Sequence, residues 1–294
     1  MSFVPEVGVA LSRHTTIGTG GPAAAFARPG SVAELEATLS WATQRGIGVA
    51  TVGLGSNLLV ADRGVDVLVV RLAGELAEAR ADDTLLVAGG GATNAVCLHR
   101  ARAAGLGGFE FACAIPGTAG GGVWMNAGAY GSDWKAILVR ALVATADGTG
   151  WLTPAELGLS YRQSELRHGQ VVAAVEYQLA PRPAGEIAAE VAELIARRKA
   201  TQPTHRRTFG SVFKNPEGEL GAGRMLELCG LKGFRVGGAM ISPKHANFIE
   251  NVGGATTADC LVLMVEARRR ARETHGVVLE HEVVLLGEIP LPPA

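Results

Sequence analysis

The residues whose types and order could do chemistry lie in a few short stretches. Phe111 to Gly131, FACAIPGTAGGGVWMNAGAYG, is almost uncharged and rich in glycine. Such a stretch cannot cover itself with side chains, so its backbone is open to close approach. Successive free N–H groups in a turn form a concavity that binds anions such as a diphosphate. Gly117, Gly120, Gly121 and Gly122 offer amides, Thr118 a hydroxyl and Asn126 a carboxamide. The pattern is neither a GxGxxG dinucleotide fingerprint nor a phosphate loop ending in Lys-Ser/Thr. A Gly-rich bend packed against a sheet is the competing reading.

Other stretches add to it. In Gly53 to Leu59, GLGSNLL, two glycines with Ser56 and Asn57 can wrap a pyrophosphate; a plain hairpin turn is the alternative. In Ser160 to Ser164, SYRQS, the Arg162 guanidinium can hold a carboxylate or phosphate through two hydrogen bonds. Set against that is an ordinary surface arginine. Gly210 to Pro216, GSVFKNP, has an order odd for a helix or strand. Ser211, Lys214 and Asn215 could line one pocket, or the stretch could be a turn with capping residues. In Leu279 to Gly287, LEHEVVLLG, Glu280 and Glu282 fall on one face of an expected strand and His281 on the other. A carboxylate just before an apolar run lies close to the core, where its pKa rises; a surface strand end is the alternative.

The elements that must position these residues read as α+β. Ser31 caps a helix to Gly46, with Glu34 completing a capping box. Val49 to Leu54 reads as a buried strand, followed by the GSN turn and a short apolar run to Val60. Val67 to Leu72, Leu85 to Ala88 and Ala136 to Thr145 read as strands, and Thr93 to Ala104 as a helix ended by Gly105. Val171 to Leu179 alternates like a half-exposed strand. Pro181-Arg182-Pro183 reads as a linker before a helix from Gly185 to Ala200. A long helix from Thr257 or Ala258 runs to His275 and stops at Gly276, and Val277 to Leu286 reads as a closing strand. The expected division is 1–65, 66–182 and 183–294, with the last strand returning toward the first parts.

Bulk properties narrow the class. The 294 residues suffice for two or three domains, and the net charge of −1 points away from nucleic acid and anionic membranes as main partners. The 40 glycines are about twice the usual share. The 4 cysteines form no CxxC pair, so buried thiols in a reducing compartment are expected, without a disulfide framework or metal site. The N-terminus lacks a signal-peptide layout and no apolar run reaches membrane-spanning length, which gives a cytoplasmic expectation.

Taken together and in order, the motifs closely resemble the UDP-N-acetylenolpyruvoylglucosamine reductase family. The resemblance adds TIGTGGPA at Thr16 to Ala23, GLKG at Gly230 to Gly233 and SPKHANF at Ser242 to Phe248, and runs from about Thr15 to Gly287. It implies an FAD-binding fold of two α+β subdomains, of the vanillyl-alcohol-oxidase type, plus a C-terminal α+β substrate-binding domain. The family has a longer form with an inserted loop carrying a substrate-binding tyrosine; no room for it exists between Leu159 and Thr208, so this chain resembles the shorter form.

The resemblance implies noncovalent FAD, NADPH as reductant and reduction of UDP-N-acetylglucosamine enolpyruvate to UDP-N-acetylmuramate, a step of peptidoglycan precursor and cell-wall synthesis. It makes Ser211 the proton donor to the substrate α-carbon, with Arg162 and Glu282 flanking the substrate carboxylate. Glu282 is preferred to Glu280 because the family's acid directly precedes the apolar run. Flavin contacts are expected from Gly53, Gly55, Ser56, Asn57 and Leu58, and from Ile115, Pro116, Gly117, Thr118, Gly121, Gly122, Asn126 and Gly128. Substrate contacts are expected from Tyr161, Lys214, Asn215, Lys244 and His245, in a monomer with no metal, membrane or nucleic-acid partner. The rivals are another flavin-dependent oxidoreductase or oxidase on the same scaffold, and an inactive nucleotide-sugar-binding flavoprotein.

Overall fold

Helix boundaries follow local capping chemistry. In the computed structural model, which describes residues 3–291, helix Val32–Gln44 begins where the Ser31 hydroxyl accepts from the Glu34 amide. The expected reciprocal half of that box is displaced by one residue: the Glu34 carboxylate takes the amide of Gly30 (2.7 Å). Thr93 caps helix Asn94–Ala103 in the same way. Helix Thr257–His275 carries a full capping box between Thr256 and Asp259, and Gly276 ends it at φ +68°, a conformation that favours glycine.

The chain divides into two compact units. The first takes the N-terminal residues through Val7, then Ala25–Leu54 and Asp66–Arg197. Its main sheet is antiparallel, in the order Gly148–Leu152, Leu138–Thr145, Val171–Gln178, Leu85–Gly89, Ala79–Asp82. Val171–Gln178 lies in the middle of that sheet and is mostly buried, where alternation led to a half-exposed expectation. Strand Val49–Thr51 runs parallel to Val65–Val70, and helix Val32–Gln44 packs its Leu35, Leu39 and Ala42 into the same core as Val171 and Ala173. On the opposite side a second core gathers Phe109, Phe111, Trp134 and Tyr177, with the Trp134 indole N–H donating to the Tyr177 hydroxyl (2.6 Å). The Pro181–Pro183 segment, read as a linker, is tied down: Ala180–Pro181 pairs with Leu106–Gly107, and Arg182 forms ion pairs with Glu110, Glu186 and Glu190.

The second unit takes Gly8–Ala24, Gly55–Val65 and the chain from Arg198 onward. Its antiparallel sheet has the order Arg207–Ser211, Phe248–Asn251, Ala239–Ile241, Arg235–Val236, backed by helices Ala222–Leu228 and Thr257–His275 through Met225, Leu226, Leu263, Met264 and Ala267. Of the expected strand Val277–Leu286 only Val284–Leu286 forms, and it pairs in parallel with Leu58–Val60. The Asp62 carboxylate accepts from the amides of Thr257 and Ala258, and the buried Thr257 hydroxyl donates to the Val60 carbonyl (2.6 Å). A helix N-terminus thereby fixes the strand that leaves the GSN turn. Residues 292–294 lie outside the described residues.

Gly122 shows how closely this packing constrains sequence. A Cβ there would stand 2.3 Å from the buried Trp134 ring, whereas one at Gly150 would meet nothing within 4 Å. Gly122→Ala is expected to destabilise the protein by about 1–3 kcal/mol, and Gly150→Ala to leave stability within about 0.5 kcal/mol, in urea denaturation followed by tryptophan fluorescence.

Candidate functional site

In the second unit, three segments distant in sequence meet by backbone hydrogen bonds. Gly55 turns at φ +65°, and a Cβ there would lie 2.1 Å from the His14 carbonyl oxygen, so no other residue fits. Thr16 secures the turn: its amide donates to the Gly55 carbonyl and its hydroxyl to the Thr208 carbonyl (2.6 Å). Asn57 then reaches the C-terminal segment. Its side-chain amide donates to the Glu282 carbonyl (3.1 Å) and its own carbonyl accepts from Val284 (3.0 Å). The Glu282 amide in turn donates to the Val212 carbonyl (2.8 Å), and the Phe213–His281 bridge and the Lys214–Glu280 hydrogen bond continue that register. Ser211 closes strand Arg207–Ser211 after a bulge in which Gly210 has φ +83° and a Cβ would come 3.2 Å from the Ser56 carbonyl oxygen. Ser211, Glu282 and Gly55–Asn57 are thus neighbours in backbone; Leu58 is buried in the strand that follows.

The two carboxylates of LEHEV have different surroundings. Glu280 is 70% exposed and its Oε1 lies 2.7 Å from the Lys214 ammonium, itself only 15% exposed. Glu282 is half-buried. Asn215 acts as a cap, its Oδ1 accepting from the Ala222 amide at the start of helix Ala222–Leu228. The His245 ring packs against Gly223 of that helix and edge-on to Phe248, with its Nδ1 accepting from the Asn247 amide. Burial pulls the His245 pKa below its usual range, and the Lys232 charge adds to the shift. Lys244 lies apart from these, its ammonium donating to the Lys199 carbonyl at the end of helix Ala184–Thr201.

The first unit holds the remaining residues. Gly53 abuts Thr118 so closely that a Cβ would stand 2.6 Å from its hydroxyl oxygen. Thr118 caps helix Ala119–Trp124 by accepting from Gly121, and Gly121 is exposed, with that hydroxyl as the only atom within 4 Å of where its Cβ would be. Asn126, at φ +37°, is fully engaged by protein: its amide nitrogen donates to Asp133 and to the Ser160 carbonyl, and its Oδ1 accepts from Lys135. Arg162, at φ +55°, donates to the Gly128 carbonyl (2.6 Å) while its guanidinium lies over the exposed Tyr161 ring. Ile115 is half-buried and Pro116 exposed.

Two asparagines escaped sequence reasoning. Asn247 is buried and pairs both ways with Phe213, accepting from its amide and donating to its carbonyl, as a strand partner would. Asn94 is buried beside the Gly-rich turn, with its backbone amide on the Gly117 carbonyl and its side-chain amide on the Ile115 carbonyl. Its Oδ1 has no protein partner. The available signal was an asparagine among apolar neighbours in each case. In the first unit the buried Asn94 acceptor without a donor, and in the second the short polar turn at Gly55–Asn57, each suit a polar ligand.

Comparison with known proteins bears on the same segments. Residues 202–286 match the family described as UDP-N-acetylenolpyruvoylglucosamine reductase, C-terminal domain, and residues 23–151 match an FAD binding domain. The chain is 46% identical to the UDP-N-acetylenolpyruvoylglucosamine reductase of Anaeromyxobacter dehalogenans, over 95% of this chain and 85% of that one. It is 45% identical to UDP-N-acetylenolpyruvoylglucosamine reductase 2 of Symbiobacterium thermophilum, over 96% and 92%. The crystal structure of the Thermus caldophilus reductase superposes with a TM-score of 0.84 at 38% identity, covering 96% of this chain and 100% of that one.

The His245 environment has a measurable consequence. Its folded pKa lies below the ordinary 6.5, so below that pH the unfolded chain binds a proton more readily. Its contribution to stability is complete above about pH 6.5 and is lost as pH falls through that value toward the folded pKa. Denaturation midpoints measured from pH 7.5 to 5 are expected to fall less steeply for His245→Gln than for the native protein.

Proposed function

The chain belongs to the UDP-N-acetylenolpyruvoylglucosamine reductase family, and on that premise we propose how its own residues carry the family's reaction. The activity is an FAD-dependent, NADPH-linked reduction of UDP-N-acetylglucosamine enolpyruvate to UDP-N-acetylmuramate, on an α+β flavoprotein fold. Bound FAD would supply hydride-transfer chemistry between NADPH and the β-carbon of the enol ether. The protein must then stabilise negative charge that spreads from the α-carbon into the adjacent carboxylate, and supply one proton.

Ser211 is the proton donor. A serine hydroxyl is a weak acid, but a carbanion-like carbon is a far stronger base, so the transfer runs downhill. Arg162 supplies fixed positive charge to the substrate carboxylate. Glu282 assists as a protonated or tightly hydrogen-bonded group, since a bare carboxylate would repel the developing enolate. The observation that carries this assignment is the Glu282 amide on the Val212 carbonyl, which sets the acid beside the segment bearing Ser211. Glu280, exposed and paired with Lys214, fits a surface role.

Flavin contacts are assigned to Gly53, Gly55–Leu58, Ile115–Thr118, Gly121, Gly122 and Gly128, whereas Asn126, expected among them, spends its polar atoms on protein partners. Thr16 and Asn57 give the second-unit turn its shape, and Asn126 shapes the loop that Arg162 joins. Lys214, Asn215, Lys244 and His245 are assigned to the sugar nucleotide, a reading supported by the match of residues 202–286 to the reductase C-terminal domain; Tyr161, outside that match, is assigned with them on the family resemblance alone. In functional terms the divisions are 1–65 and 66–182 for flavin and 183–294 for substrate. The reading extends to a cytoplasmic location without membrane or nucleic-acid partners, supported by free thiols at all 4 cysteines and a net charge of −1, and to a monomer.

Anaerobic half-reactions test these roles. Ser211→Ala is expected to keep reduction by NADPH within about twofold and to slow reoxidation by the enolpyruvyl nucleotide about 10²–10⁴-fold, the usual reach of a general acid; equal loss in both halves removes Ser211 from the role. In steady-state assays Glu282→Gln is expected to lose at least about tenfold more turnover than Glu280→Gln, and comparable losses would assign the wrong carboxylate.

A further inference from the structure

Asn94 is placed as the first residue of a helix, yet its side chain is 97% removed from solvent, since only 3% of the residue's surface is exposed. Most residues at that position face water. Here the backbone amide donates to the Gly117 carbonyl (3.0 Å) and Nδ2 to the Ile115 carbonyl (2.9 Å). One residue therefore clamps both ends of the Ile115–Gly117 turn. The Thr93–Thr118 bridge and the Ala119 amide on the Ala92 carbonyl extend that clamp on either side. The orientation of the carboxamide is fixed, because exchanging its nitrogen and oxygen would set Oδ1 against the Ile115 carbonyl oxygen. Oδ1 is left buried without a donor; the other such atom among the described residues is the Thr208 hydroxyl oxygen. Leaving a buried acceptor without a partner costs more than the clamp on a single carbonyl returns. An apolar side chain would fill the space without that cost.

We propose that Asn94 is a cofactor-binding residue whose Oδ1 accepts a hydrogen bond from an N–H or O–H of the bound flavin dinucleotide, while Nδ2 sets the Ile115–Gly117 turn against the same ligand. The proposal rests on the flavin assignment made above. It gives the residue two separable functions. The Nδ2 contact exists without the cofactor, and the Oδ1 contact is completed by it. Loading the protein with flavin therefore removes a buried unsatisfied group from the first unit.

The test is reversible flavin removal and reconstitution, with dissociation constants read from flavin fluorescence. FAD is compared with analogues that each lack one donor: methylated at flavin N3, deoxygenated along the ribityl chain, deoxygenated on the adenosine ribose, or dimethylated at the adenine amino group. For one analogue the native protein is expected to bind about tenfold more weakly than it binds FAD. Asn94→Leu is expected to bind FAD about tenfold more weakly than the native protein, and to bind that analogue and FAD within about twofold of each other. Asn94→Ala, a good helix former, carries the same comparison if the leucine variant does not refold. The proposal is overturned if every analogue loses the same factor in native and variant proteins, or if the variants bind FAD as the native protein does. If native protein stripped of flavin fails to take up FAD at all, the flavin assignment itself falls, and the proposal with it.

Discussion

The second unit depends on one short hydrogen-bonded path. Asn57 holds the carbonyl of Glu282, Glu282 holds the carbonyl of Val212, and the parallel pairing of Val284–Leu286 with Leu58–Val60 continues from it. Three segments from the beginning, the later part and the end of the chain are fixed in one register. Register matters because side chains alternate across a paired segment: a slip of one residue would present His281 where Glu282 stands. The Asp62 and Thr257 bonds at the head of the long helix hold the same strand from its far end. The backbone that carries Ser211 and Glu282, the residues proposed for catalysis, is therefore set by this pairing.

Glycine serves two physical purposes along the chain. At Gly55 and Gly122 another part of the protein occupies the space a side chain would need, so bareness is demanded by packing. At Gly121 the residue is exposed and nothing crowds the place of a side chain, so bareness there leaves open surface, with the amide already held by the Thr118 hydroxyl. Close packing therefore accounts for some glycines of the Gly-rich stretch and not for others. The distinction depends on what lies across from each glycine, which the local sequence does not contain.

Much of the architecture was legible because its causes are local. Thr93 and Gly276 mark helix ends through short-range hydrogen bonds and backbone conformation, and those ends fall where the residues placed them. The exceptions have long-range causes. Val171–Gln178 alternates in sequence but is covered on both faces by the two cores of the first unit. Val277–Val283 has strand-like composition, yet only His281 finds a bridge partner before the parallel ladder begins. Within the candidate site the motif residues were readable by resemblance. The capping work of Asn215 matches the turn-with-caps alternative read for GSVFKNP, whereas the helix-end contact of Lys244 and the buried clamp of Asn94 depend on partners distant in the chain and were not legible.

The account holds that this scaffold couples two half-reactions through one bound flavin. Anaerobic mixing of the native protein with a single equivalent of NADPH, followed by UDP-N-acetylglucosamine enolpyruvate, reads that coupling directly in the flavin absorbance. Bleaching by the first and full recovery with the second, with one UDP-N-acetylmuramate formed per flavin, is the predicted result. Recovery that requires oxygen and is indifferent to the nucleotide would contradict it.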